Sequence, residues 1–267
     1  MLKKRVITVL WGLPLLIIIV WFDEPLPWFT ILVAIWGLVA VFEFYRLVGV
    51  SNAPSLTGFG LIWALLFILS PYCPYELTIP ILLTSAIVLP LLWLVLRPPK
   101  EGAFLGWMWT MAGILYVGWL LSFLVALRLE AGRNWVFLAL FTTFGSDTVA
   151  FFVGRALGRH RLAPNISPNK TWEGAIAGVF GAIIVSLLFT LPTPLSLPLG
   201  YGQAILLGLL VSVFGQFGDL AESLLKRNMG VKESGKMIPG HGGFLDRMDS
   251  VVFAGIVVYL YYIFVIL

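Results

Sequence analysis

The chain has 267 residues, 60 % of them apolar and only 11 % charged, and its mean hydropathy is +0.99. Soluble domains carry about 25 % charged residues and could not hide this much apolar surface, while barrel strands would alternate in polarity over ~10 residues. The net charge of +4 does not point to nucleic acid, because the basic residues stand in short loops between long apolar runs, as the positive-inside rule expects of a helical membrane protein.

The expected fold class is all-α: a polytopic integral membrane protein of about nine helices in a lipid bilayer. The opening "MLKKRVITVLWGLPLLIIIVWF" resembles a signal peptide. It is followed by "DEPLPW" rather than a small-residue cleavage pattern, so it reads as an uncleaved first helix over roughly 6–22. Further spans are expected at roughly 28–48, 57–70, 77–96, 104–127, 135–154, 172–191, 201–225 and 251–267. The third is short for ~30 Å of hydrocarbon, and Pro71, Pro74, Pro80 and Pro90 are expected to break or kink the chain around it.

Loop charge sets the orientation. Lys3, Lys4, Arg5, Arg46, Arg97, Lys100, Arg155, Arg159, Arg161, Lys170, Lys226, Arg227, Lys232 and Lys236 fall on one side; Asp23, Glu24 and Glu76 fall on the other, with only Arg128 and Arg133 misplaced. The N-terminus is thus expected in the cytoplasm and the C-terminus outside, in the cell's inner (plasma) membrane. The lone Cys73 excludes an intrachain disulfide and a multi-cysteine metal site.

The two halves differ in character. The spans within residues 1–134 are almost uncharged and are expected to serve as scaffold, where any dimer contact would lie, whereas 135–267 form the expected catalytic region. Between Gly145 and Ser250 lie 7 of the 13 acidic residues, 9 of the 17 lysines and arginines, and both histidines. No internal repeat is visible, which weighs against transporters built from duplicated halves.

Three clusters can carry chemistry, all on the expected inner face. "GSDTVAFFVGR" places Asp147 inside the sixth span; an intramembrane carboxylate usually faces a polar cavity, and its plainer reading is helix packing against Ser146 or Thr148. "RALGRHRLAPNISPNKTWEG" holds four basic residues, candidate caps Asn169 and Thr171, and Glu173 in the first turn of the next helix. A helix start beside Lys170 suits an anion, although a positive-inside loop alone would explain Arg155, Arg159 and Arg161. His160 reads as a bystander.

The third cluster is "GQFGDLAESLLKRNMGVKESGKMIPGHGGFLDRMDS". Asp219, Glu222, Ser223 and Lys226 share one helical face at i, i+3, i+4 and i+7, and Asp246, Asp249 and Ser250 repeat the first part of that spacing. The turn "PGHGG" lets backbone N–H groups approach a ligand. Glu222 and Lys226 can also be read as a plain surface pair, and Arg247 as a loop anchor. Asp219 resists such a reading, lying inside an apolar span. Carboxylates without cysteine and with few histidines suit a hard cation such as Mg²⁺, which completes its shell with water and substrate phosphates. No Walker A loop, G-x-S-x-G elbow or Ser-His-Asp set is present, so the chemistry is phosphoryl transfer run by position and charge.

The run Ser223-x-x-Lys226-Arg227, Lys232-Glu233-x-Gly235, then Pro239-Gly240-His241-Gly242-Gly243-x-x-Asp246-Arg247-x-Asp249 resembles the signature of the phosphatidate cytidylyltransferases (CDP-diacylglycerol synthases). "SPNKTWEG" and "SDTVAFFVGR" are similar to further blocks of that family, so the detailed likeness covers the last half of the chain. Two positions depart from the pattern: Glu233 stands for the usual Asp, and Val149 for a glycine. The resemblance implies conversion of CTP and phosphatidate to CDP-diacylglycerol and pyrophosphate, with Mg²⁺, a second cation such as K⁺, and a homodimer.

Carried onto these residues, it implies that Asp219 and Asp246 hold Mg²⁺, with Asp249 as a third carboxylate or an orienting group. Lys226, Arg227, Arg247 and His241 would bind phosphates, beside Ser223, Gly242 and Gly243. Ser167, Asn169, Lys170 and the helix start at Thr171 to Glu173 would hold either the CTP phosphates or the phosphatidate head group, and Asp147 would complete the pocket. A transporter with a cytoplasmic-side polar site is the alternative from another class. An enzyme that consumes CDP-diacylglycerol is a further one, but the D-G-x-x-A-R run of that family is absent.

Overall fold

The structure is a computed structural model that describes residues 2–49, 55–97, 101–235, 237 and 242–267, with side chains from residue 10 onward. Its helices are α1 (Leu2–Trp21), α2 (Trp28–Val48), α3 (Thr57–Leu69), α4 (Tyr75–Val95), α5 (Ala103–Gly113), α6 (Leu120–Ala126), α7 (Arg133–Leu157), α8 (Trp172–Leu188), α9 (Tyr201–Asn228) and α10 (Leu245–Tyr261). Wide π turns at Ile114–Trp119 and Leu127–Ala131 merge α5 and α6 into one helical stretch, Ala103–Ala131.

Among the described residues, six helices are long and apolar enough to cross a bilayer: Trp28–Val48, Tyr75–Val95, Ala103–Ala131, Arg133–Leu157, Tyr201–Asn228 and Leu245–Ile266. Three shorter apolar helices, Leu10–Trp21, Thr57–Tyr72 and Trp172–Leu188, coincide with the remaining expected spans. The chain is thus a helical, membrane-type protein.

Pro71 and Pro74 stand at the break between α3 and α4, and Pro80 and Pro90 lie within α4, which continues through them; apolar surroundings offer freed backbone groups no better partner than the helix itself. Two local expectations change. The last helix begins at Leu245 rather than at residue 251, because Asp246 is tolerated in a first turn, where the backbone N–H groups favour negative charge. Among the described residues the helical architecture is also interrupted by one ribbon, β1 (Arg161–Ala163) antiparallel to β2 (Ser167–Thr171), with Arg161 opposite Thr171 and Ala163 opposite Ser167. Ala163 and Ser167 each precede a proline, which pushes them to extended backbone.

The chain forms two compact units. The first is Met1–Ala126 with Asn228–Arg247. Its core joins Phe67, Ile79, Ala86, Met111 and Ile114 under Trp63, Trp107 and Trp119. Tyr45, buried on α2, donates its hydroxyl to the Thr110 carbonyl at 2.8 Å and so pins α2 to α5. The second unit is Leu127–Arg227 with Met248–Leu267. Here α7 and α8 lie close, with Gly178 against Ser146 and Gly181 against Val149; small residues let membrane helices approach. The Ser146 and Ser212 hydroxyls meet at 2.7 Å in the buried α7–α9 contact. Outward-facing Phe180, Ile184, Phe214 and Phe217 leave these helices with lipid-compatible surfaces.

Candidate active site

In the second unit, polar groups gather where α9, the β ribbon and the start of α8 come together. Thr171 caps α8 by accepting the Gly174 N–H on its hydroxyl at 3.2 Å, settling which of the two candidate caps serves. Asn169 and Ser167 lie on β2 instead, Asn169 exposed and Ser167 half-buried. Glu173, in the first turn of α8, takes the His160 backbone N–H at 3.2 Å and its Nδ1 at 2.7 Å, so His160 closes the base of the ribbon. Arg227 donates its Nε to the Ile166 carbonyl at 3.1 Å, fastening the ribbon tip to the end of α9.

These ties place Lys170 beside Asp219, with Nζ 2.7 Å from Oδ2. The two side chains keep 23 % and 34 % of their surface exposed, so a water-soluble ligand can reach the pair. Ser223, one turn further along α9, donates its hydroxyl to Asp219 Oδ1 at 3.3 Å. Glu222 and Lys226 pair at 2.5 Å, but Glu222 is fully buried and the pair is no surface bridge. The predicted face of α9 thus divides: Asp219 and Ser223 turn to the ribbon, and Glu222 holds Lys226.

Asp249 of α10 is partly buried and lies within electrostatic reach of Asp219, Asp147 and Lys226. What brings it there is Gly218. A side chain on Gly218 would run into the Asp249 carbonyl oxygen and come within 2.7 Å of Phe253 Cδ2. Gly218→Val should therefore push α9 from α10, at a cost of roughly 1–3 kcal/mol. Gly202→Ala, near the start of α9 with open space around it, should be neutral or slightly stabilising. Thermal unfolding in detergent checks both; equal melting temperatures for the two variants would dismiss the tight contact.

In the first unit, Asp246 ties Ser234 to Gly243. Its Oδ2 accepts the Ser234 N–H at 3.0 Å, the Ser234 hydroxyl at 3.0 Å and the Gly243 N–H at 2.8 Å. Gly242 has φ +79°, and a side chain there would press on Asp246 Oδ2, so the turn demands glycine on both counts. Arg247 is exposed. His241 lies outside the described residues.

One buried carboxylate escaped the sequence reading. Glu43 on α2, 2 % exposed, accepts the Ser234 hydroxyl at 3.3 Å and the Leu245 N–H at 3.0 Å on Oε2. Its signal was present in "VAVFEFYRLV", an acid inside an apolar run, where ionisable groups are costly and mark function.

The chemistry of the set suits a hard cation. Asp219, Asp249 and Asp147 concentrate negative charge at a site lined with lysines, an arrangement a divalent ion would relieve. Among the described residues no three His, Cys, Asp or Glu side chains form a ready-made cage. Mg²⁺ needs none: it binds through one or two carboxylates and leaves the rest of its octahedron to water and substrate phosphates.

The chain is similar in sequence to several phosphatidate cytidylyltransferases. A phosphatidate cytidylyltransferase of Bacillus subtilis (strain 168) is 36 % identical over 272 residues, covering 98 % of this chain and 97 % of its own. A phosphatidate cytidylyltransferase of Brucella abortus biovar 1 (strain 9-941) is 43 % identical over 155 residues, 57 % of this chain and 56 % of that one. Phosphatidate cytidylyltransferase 5, chloroplastic, of Arabidopsis thaliana is 37 % identical over 265 residues, 86 % of this chain and 65 % of its own. The model of the cytidylyltransferase family matches residues 3–265, nearly end to end, and this chain belongs to that family.

Proposed function

We propose that this chain converts CTP and phosphatidate to CDP-diacylglycerol and pyrophosphate in the membrane. The full-length likeness to the Bacillus subtilis phosphatidate cytidylyltransferase carries the reading, and the Lys170–Asp219 pair, open to water although Asp219 lies within a membrane-type helix, supports it. In the reaction a phosphatidate oxygen forms a bond to the α-phosphorus of CTP. The bond from that phosphorus to the bridging oxygen breaks, and its electron pair leaves with pyrophosphate. A phosphate monoester has its second pKa near ~6 and is largely ionised at pH 7, so no general base is required.

The task left to the protein is to bring two polyanions together and to stabilise the leaving group. Asp219, with Asp246 and Asp249, would hold Mg²⁺, which when bound neutralises phosphate charge as a Lewis acid. Lys170, paired with Asp219, would offer its ammonium to a phosphate where a cation takes up that carboxylate. Lys226, Arg227, Arg247 and His241 would bind phosphate groups. Ser167, Asn169 and the capped start of α8 present donors to a phosphate, and Ser223 keeps Asp219 oriented. Asp147 lines the pocket. A second cation such as K⁺, a homodimer, nine crossings of the inner (plasma) membrane and a cytoplasmic N-terminus complete the proposal.

The test uses purified protein in detergent with phosphatidate, labelled CTP and Mg²⁺, following label into the organic phase. Transfer that EDTA stops and added Mg²⁺ restores is the expected result. No transfer from a folded preparation, with several nucleotides tried, would end the proposal and turn attention to substrate flux across sealed vesicles.

A further inference from the structure

Glu43 is buried in α2, far in sequence from the motifs that mark the site. Its Oε2 joins two parts of the glycine-rich segment, the Ser234 hydroxyl and the Leu245 N–H. The second is a donor at the first residue of α10, which has no partner within its own helix. Glu43 therefore caps α10 from another helix, and the contact of Trp36 with Phe244, ring centres 5.9 Å apart, sets the same junction from the same helix. The Ser234 hydroxyl has a single proton and two carboxylates facing it, Glu43 at 3.3 Å and Asp246 at 3.0 Å.

Two glycines make room for this arrangement. A side chain on Gly235 would strike Glu43 Oε1, and one on Gly243 would strike Glu43 Oε2 and the Ser234 hydroxyl. Oε1 is buried without a hydrogen-bond partner among the described residues. A buried carboxylate so incompletely paired is costly in a membrane helix, and an apolar residue would fill the space without that cost. Retaining it calls for a use.

We propose that Glu43 is a positioning residue for cytidylyl transfer: through Ser234 and the start of α10 it fixes the place of Asp246. The proposal rests on the reading that Asp246 serves the reaction. The test compares Glu43→Gln, Ser234→Ala and the double variant in the labelled-CTP assay, with Asp246→Asn alongside. Each preparation is also titrated with Mg²⁺ and melted.

Each single variant is expected to lose about 10- to 100-fold in kcat, as supporting groups around a metal ligand typically do. The melting temperature and the KM for phosphatidate should hold, and the Mg²⁺ concentration for half activity should rise. Because both act through one link, the double variant should lose no more than the worse single one. Ser234→Ala does not touch the interior of α2 and carries the test if Glu43→Gln fails to insert. Losses that multiply in the double variant would overturn the proposal, as would a Glu43→Gln protein that melts earlier yet turns over normally with an unchanged Mg²⁺ requirement. Full activity in Asp246→Asn would overturn the reading beneath it. Activity lost in Asp246→Asn but kept in both Glu43→Gln and Ser234→Ala would overturn the positioning role alone.

Discussion

Asp219→Asn should abolish cytidylyl transfer, lowering kcat by at least about 10²–10³-fold, the loss seen when one preorganised electrostatic group is removed from a reacting centre. Asparagine keeps the shape of the side chain and an oxygen that Ser223 can still reach at its present 3.3 Å. What disappears is the negative charge, on which both the ion pair with Lys170 and the proposed hold on Mg²⁺ depend. Stability should change little, because a pair with both partners partly exposed contributes about 0–1 kcal/mol. The variant should thus insert, purify and melt like the parent while passing no label from CTP to lipid and binding Mn²⁺, used as a paramagnetic probe, more weakly. Normal turnover would remove Asp219 from the metal site. Normal Mn²⁺ binding with lost turnover would leave it a part in the reaction, but not that one.

Asp246 separates two roles that a simple deletion would confuse. Its Oδ2 gathers three donors from Ser234 and Gly243, so it anchors those two residues whatever else it does. Asparagine retains a carbonyl oxygen able to accept those donors, and alanine retains nothing. If the group is only an anchor, Asp246→Asn should be near normal and Asp246→Ala should lose activity and several degrees of melting temperature. If it also holds the metal, both should be inactive, with Asp246→Asn keeping the melting temperature of the parent. We expect the second pattern, with a loss in Asp246→Asn of about 10²-fold or more. The assay and a melting curve on the two proteins decide between them.

Much of the fold was open to reading because the bilayer leaves few choices. In hydrocarbon every backbone donor and acceptor needs a partner within the chain, so a long apolar run is a helix. The expected spans at 28–48, 201–225 and 172–191 accordingly sit on α2, α9 and α8. Where water competes, as between Arg155 and Thr171, hydrophobicity says little. There the β ribbon, set by prolines and a turn at Pro164 and Asn165, lay outside the all-helical expectation.

The site divides along a similar line. Sequence alone determined which residue types are available: carboxylates at helical spacing, lysines and arginines beside them, glycines in a turn, and no cysteine or histidine cage. Those types bound the chemistry to phosphates and a hard cation, because charge and ligand preference belong to the side chain wherever it sits. Partnership is different, for it depends on which surfaces the packed helices bring within about 3 Å. No spacing rule pairs Lys170 with Asp219, turns Glu222 inward with Lys226, or joins Glu43 to Ser234 across 191 positions. Those contacts exist because Thr171 caps α8, because Gly218 admits the Asp249 backbone, and because α2 passes beside the first turn of α10. Only tertiary packing could decide them.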